Sequence, residues 1–142
     1  MEKDREQLRQ LYLDVRQSTF TWMSRDSFNL ASFDEDTAGE FILVAKMGHQ
    51  IVGFASVWLQ DNFLHHLYIV HPFQGKGIGT RLLNRVIELS NSDVTLKCLK
   101  KNERAVKFYL EKGWKARSEG NSNEGAFILF QLSKPKDPLL NR

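Results

Sequence analysis

This chain of 142 residues holds one cysteine and three prolines, and no apolar run approaches the ~20 residues needed to span a bilayer. A lone Cys98 excludes an internal disulfide framework and supplies no cysteine spacing for a metal, so none is expected. The opening MEKDREQLRQ lacks the apolar centre of a signal peptide, and the expectation is a cytoplasmic protein with no membrane partner. There is no internal repeat and no low-complexity block. Charge of one sign is also scarce: 20 Lys and Arg against 17 Asp and Glu leave a net charge of +3 and a pI near 9.1. That balance suits an anionic ligand but is too mild to imply nucleic acid, which no motif supports either.

What is present has globular proportions, with 42% hydrophobic and 26% charged residues. Leu8, Leu11, Tyr12 and Val15 share one helical face and predict a helix over 4–17. Ser24 and Ser27 are each placed to cap a short second helix, after which SFDEDTAGE reads as an acidic loop. Segments 40–46, 50–59 and 63–70 are rich in Ile, Val and Phe, with MGH and QDN as turns, and predict a three-stranded meander. A helix over 77–90, a strand over 93–99, and a helix over 103–112 capped by Asn102 and closed by Gly113 follow. Two strands around GNSNEG end the fold. Residues 1–133 thus read as a single α/β domain with a mixed, mostly antiparallel sheet flanked by helices, and 134–142 as a flexible tail.

The sharpest local feature is HPFQGKGIGTRLL, where Gly75, Gly77 and Gly79 alternate directly before an amphipathic helix. Glycines let the backbone turn its amides inward without a Cβ penalty. At a helix N-terminus such amides favour an anion, and Lys76 and Arg81 add positive charge at the rim. A diphosphate fits. A phosphate-binding P-loop would need Gly-Lys-Ser/Thr at the helix start, and the dinucleotide fingerprint would need G-x-G-x-x-G; neither is met.

QGKGIG, Gln74 to Gly79, resembles the Gln/Arg-x-x-Gly-x-Gly/Ala signature of the GNAT N-acetyltransferase superfamily, which cradles the pyrophosphate of acetyl-CoA. NERAVKFYLEKGW, Asn102 to Trp114, is similar to that family's Asn-x-x-Ala-x-x-x-Tyr-x-x-x-Gly-Phe segment. The order of elements agrees over nearly the whole chain, except that the family's first strand is missing or displaced and Pro72 stands one place late. The resemblance implies a single-domain GNAT fold and an enzyme moving an acetyl group from acetyl-CoA, its cosubstrate, to the primary amine of a small molecule or a protein. The amine attacks the thioester directly. A monomer and a homodimer are both compatible with the family.

Carried over residue by residue, the turn Gln74, Gly75, Lys76, Gly77, Ile78, Gly79 and Thr80 holds the pyrophosphate. Backbone groups of Leu67, Tyr68 and Ile69 pair with the pantetheine arm, and an amide near Leu67 stabilises charge on the thioester oxygen. Asn102 contacts the arm, or is simply a helix cap. Tyr109 protonates the CoA thiolate, against the plainer reading of a packed aromatic. The base is less defined: where some members carry a glutamate, this chain has Lys97. His65 stands where certain amine acetyltransferases hold a histidine, and an imidazole titrating near ~6.5 suits the task. Strand alternation puts His65 with Phe63, Leu67 and Ile69, and His66 on the opposite face with Leu64 and Tyr68. A structural role for one or both histidines carries equal weight, and Asp61 and Glu40 are reserves. Asp34, Glu35, Asp36 and Glu40 read first as a solvated loop and second as a lure for a cationic amine. The alternative function is a non-catalytic acetyl-CoA-binding regulatory module.

Overall fold

Seven consecutive residues, Ile51 to Val57, are buried in the strand Gln50–Trp58. Since strand side chains alternate between faces, such a run requires cover on both sides of the sheet. The computed structural model, which describes residues 2–133, supplies that cover with helices. Helix α1 (Glu2–Thr19) and the short α2 (Ser32–Asp36) pack on one face; α3 (Ile78–Leu89) and α4 (Glu103–Glu111) pack on the other. The strands are β1 (Phe41–Met47), β2 (Gln50–Trp58), β3 (Phe63–Ile69), β4 (Val94–Leu99), β5 (Lys115–Ser122) and β6 (Gly125–Leu132).

The sheet order is β1-β2-β3-β4-β6-β5, antiparallel throughout except between β3 and β4. No strand precedes α1 among the described residues. Leu8, Leu11, Tyr12 and Val15 meet Ile51 and Phe54 on one face of the sheet. Leu82, Leu83 and Val86 of α3 meet Ala55, Val57 and Leu64 on the other.

Two irregularities position the functional groups. First, β3 and β4 pair only through Phe63 with Thr95 and Leu64 with Leu96, then part. Second, Ser56 opposes His66 while Val57 opposes Leu64, so His65 is the extra residue of a β-bulge. The bulge overturns the alternation expected for this strand. Leu64 joins Leu67 and Ile69 on the α3 and α4 face, whereas His65 and His66 lie side by side, ring centroids 3.8 Å apart.

Other boundaries moved for local reasons. The expected acidic loop is partly helical, because Ser32–Asp36 forms α2, and Ser24 caps only a one-turn segment, Arg25–Ser27. The closing hairpin is tighter than GNSNEG suggested: β5 runs through Ser122, and Gly125 at φ +130° opens β6. The tail expected over 134–142 lies outside the described residues.

Candidate active site

The parting of β3 from β4 leaves two cavities back to back. The larger, about 950 Å³, runs along the glycine turn and α4; the smaller, about 380 Å³, lies between α1, α2, the two histidines and the β5–β6 hairpin. Leu67, Tyr68, Asn102, Ala105 and Tyr109 line both.

In the larger groove, Gly75 and Gly77 have φ of +78° and +85°, a left-handed backbone that side chains disfavour. A Cβ at either would meet nothing within 4 Å, so the glycines face open space. Gly77 caps α3 without a side-chain hydrogen bond, which leaves the first amides of the helix free to bind an acceptor. Gln74 ties the turn down: its Nε2 donates to the Ile69 carbonyl at 2.9 Å. Gly79 and Thr80 line the groove, but Lys76 and Ile78 do not. Lys76 reaches over the Phe73 ring, and Ile78 packs on the core. The positive charge on the groove comes instead from α4 and its flanks, through Lys101, Arg104, Lys107 and Lys112. The run KKNERAVK shows this cluster in the sequence, but only the fold turns it toward the glycines.

Strand β3 presents its backbone to the gap selectively. The Val70 amide donates to Val52 of β2 at 2.8 Å. Backbone groups alternate in direction along a strand, so those of Tyr68 also face β2, and those of Leu67 and Ile69 face the opening. This corrects the expectation for Tyr68, which borders the gap with its ring and not its backbone. Asn102 does cap α4, its Oδ1 accepting from the Ala105 amide at 3.3 Å, while still lining both cavities. Tyr109 packs its ring against Trp114 and Phe130. Burial pushes its phenol well above the ordinary value of 10, so it stays protonated.

In the smaller cavity, side chains dominate. Nδ1 of His65 meets Glu40 Oε2 at 2.5 Å. His66 is buried, and that burial, with His65 next and then Arg16, holds its imidazole well below 6.5 and therefore neutral. Its Nδ1 lies 2.8 Å from Ser56 Oγ and its Nε2 3.1 Å from Tyr12 Oη, whose proton goes to Asp36 Oδ2 at 2.7 Å. Arg16 is buried against the Tyr12 and Phe28 rings, 4.9 and 4.8 Å from their centroids, and approaches Asp36 and Glu124 at 3.4 and 3.6 Å. The acidic stretch is therefore not merely solvated. Asp34 binds Arg5 and Arg9, Asp36 binds Tyr12, and Glu40 binds His65. Sequence reasoning missed Arg16 and Glu124, which carry no motif. Asp61 lines neither cavity, and nor do Trp22, Phe28 and Trp58. Cys98 borders the histidine cavity with a thiol pushed up to about 12 by burial, a packing group and not a nucleophile.

A family model described as the Acetyltransferase (GNAT) family matches residues 5–114. No curated protein matches the chain. Among solved structures, an N-acetyltransferase from Staphylococcus aureus Mu50 is 15% identical with a TM-score of 0.73, covering 93% of this chain and 97% of that one. The PaiA N-acetyltransferase of Thermoplasma acidophilum, in complex with coenzyme A, is 17% identical with a TM-score of 0.71 and coverage of 90% and 92%. The yncA protein of Salmonella typhimurium, a putative acetyltransferase solved with its cofactor acetyl-CoA, is 17% identical with a TM-score of 0.68 and coverage of 97% and 92%. At these identities the likeness establishes the fold.

Proposed function

The chain belongs to the acetyltransferase (GNAT) family, and from that premise we propose that it transfers the acetyl group of acetyl-CoA to a primary amine, with Tyr109 as acid and His65 as base. The observation that carries the reading is the single gap between β3 and β4, through which the glycine-turn groove meets the histidine cavity at Tyr109.

The groove fits the donor. Its glycines leave open space where side chains would intrude, its helix amides are free, and the basic side chains of α4 complement phosphate. When bound, acetyl-CoA supplies an activated thioester carbonyl. The Ile69 carbonyl is occupied by Gln74, so the Leu67 backbone and the Ile69 amide remain to pair with a peptide-like arm. The Leu67 amide is the donor for charge growing on the thioester oxygen. Asn102 offers its amide nitrogen beside them.

On the other side of the gap, the His65 Nδ1 proton goes to Glu40, which fixes the tautomer and leaves Nε2 with a lone pair for the amine proton. Asp36 and Glu124 favour a cationic amine in the cavity, offset in part by Arg16. Tyr109, protonated throughout the neutral range, delivers its proton to the departing thiolate.

Coenzyme A release over a panel of small amines and peptides, with wild type and Tyr109→Phe, tests this. Turnover on some amine, lost in the variant while acetyl-CoA affinity is kept, supports the enzyme. Tight acetyl-CoA binding without turnover on any amine or peptide would return the chain to the regulatory-module reading.

A further inference from the structure

Glu40, His65 and His66 converge on one point, and only part of that arrangement is used by the chemistry above. The Glu40 side chain is 7% exposed, as is that of His66. Its Oε2 meets His65, but its Oε1 is buried without any hydrogen-bond donor and lies 3.9 Å from Nδ1 of His66. The nature of that facing atom follows from the network behind it. Tyr12 gives its one proton to Asp36, so its oxygen can only accept from His66, and Nε2 of His66 must carry the proton. In a neutral ring Nδ1 then presents a lone pair. That lone pair accepts from the Ser56 hydroxyl at 2.8 Å, so the unmet demand of the recess is the buried Glu40 Oε1, 3.9 Å from the same ring nitrogen.

We propose that Glu40, His65 and His66 bind a divalent transition-metal ion, zinc by preference. Two imidazoles and one carboxylate suit zinc with a fourth position left for water, whereas magnesium and calcium prefer oxygen alone. The three ligand atoms lie within 4.8 Å of one another. Tetrahedral zinc, with ligands at about 2.0–2.2 Å, brings them to about 3.4 Å apart. His65 makes most of that closure: its side chain is 40% exposed, it stands on a bulge, and imidazole χ2 is a soft torsion. The Ser56 hydroxyl turns off Nδ1 of His66, and the one ring proton of neutral His65 shifts from Nδ1 to Nε2. The Asp36–Tyr12–His66 chain holds the inner ligand in the required tautomer, as outer partners of metal-bound histidines do. No sequence spacing announces the site, because the carboxylate is 25 residues from the first histidine and adjacent histidines normally point apart.

The consequence for acetyl transfer is inhibitory. A metal on Nδ1 of His65 leaves the ring's proton on Nε2, where it cannot accept one from an amine.

The test uses the full chain, freed of metal by chelator and dialysed, with no substrate present, so it stands apart from the acetyl-transfer reading. Cobalt is added to read the visible bands of a four-coordinate site, and zinc affinity is measured by competition with a chromophoric chelator. One equivalent of zinc bound at micromolar affinity or tighter, with cobalt bands, is expected. His65→Ala, at an exposed position, should keep its far-ultraviolet circular dichroism and lose the cobalt bands. Glu40→Gln should weaken zinc at least tenfold. Absence of cobalt bands and of retained zinc overturns the site, as does equal zinc uptake by His65→Ala.

Discussion

The two cavities that meet at Tyr109 are made of different materials. The groove along Gly75 to Thr80 offers backbone at its centre, as left-handed glycines, free helix amides and strand edge, and is flanked by charged side chains in which Lys101, Arg104, Lys107 and Lys112 outnumber Glu103 and Glu111. The histidine cavity is almost all side chain, drawn from α1, α2, β3 and the β5–β6 turn, and locked by buried hydrogen bonds. On the proposed function, a backbone cradle takes the diphosphate and arm of the donor, and one short motif specifies it. A cavity of side chains from distant segments can be rewritten position by position without disturbing that cradle. Donor binding and acceptor choice should therefore separate on mutation.

Tyr109 sits on the seam and should give the largest effect. Tyr109→Phe is expected to lower kcat by about 10²-fold or more, the range for loss of a positioned acid, with acetyl-CoA affinity unchanged by calorimetry. Because burial raises the phenol, the wild-type rate should show no alkaline fall from Tyr109 below pH ~10. Gly77→Ala tests the groove alone. Left-handed φ at +85° strains an alanine by about 1–2 kcal/mol, so acetyl-CoA binding should weaken by about tenfold with the amine KM unmoved. Glu40→Gln tests the cavity alone: kcat should fall on the order of tenfold, less than for loss of the acid, and acetyl-CoA affinity should hold. A drop in donor affinity with Glu40→Gln would mean that the two sides are not separate.

The same difference explains what could be read in advance. The glycine turn, the Asn102 cap and Tyr109 are local patterns, and their elements came within a few residues of the observed bounds. Pairing across the sheet was hidden. One extra residue between Leu64 and His66 reverses which histidine faces what, and no propensity marks a bulge in FLHHLYIV. Arg16 and Glu124 are 108 positions apart and meet only because the β5–β6 turn closes over α1. The acidic stretch shows the limit most plainly. Its composition reads as solvated, yet Asp34, Asp36 and Glu40 each find a partner on α1 or β3.

Asp34 gives the gentlest test of separation, because it braces the cavity's wall without lining it. Its carboxylate takes Nη1 of Arg5 at 2.8 Å and Nε of Arg9 at 2.7 Å, tying α2 to α1. The hydrogen bond from Arg9 is the chief cause holding its carboxyl below the usual 3.8. A depressed carboxyl stabilises the fold above the unfolded pKa and loses that contribution as pH falls through the folded one. The side chains are 30–43% exposed, so solvent screening limits the pair to roughly 0.2–1 kcal/mol. Asp34→Asn should lower stability in urea by that amount at pH 7. The difference should shrink in high salt and disappear well below pH 3.8. Acetyl-CoA affinity should not change, whereas the amine KM should drift upward, because α2 also carries Asp36 into the cavity. An unchanged amine KM would show that α2 holds Asp36 without this brace; a changed acetyl-CoA affinity would join the two cavities into one cooperative unit.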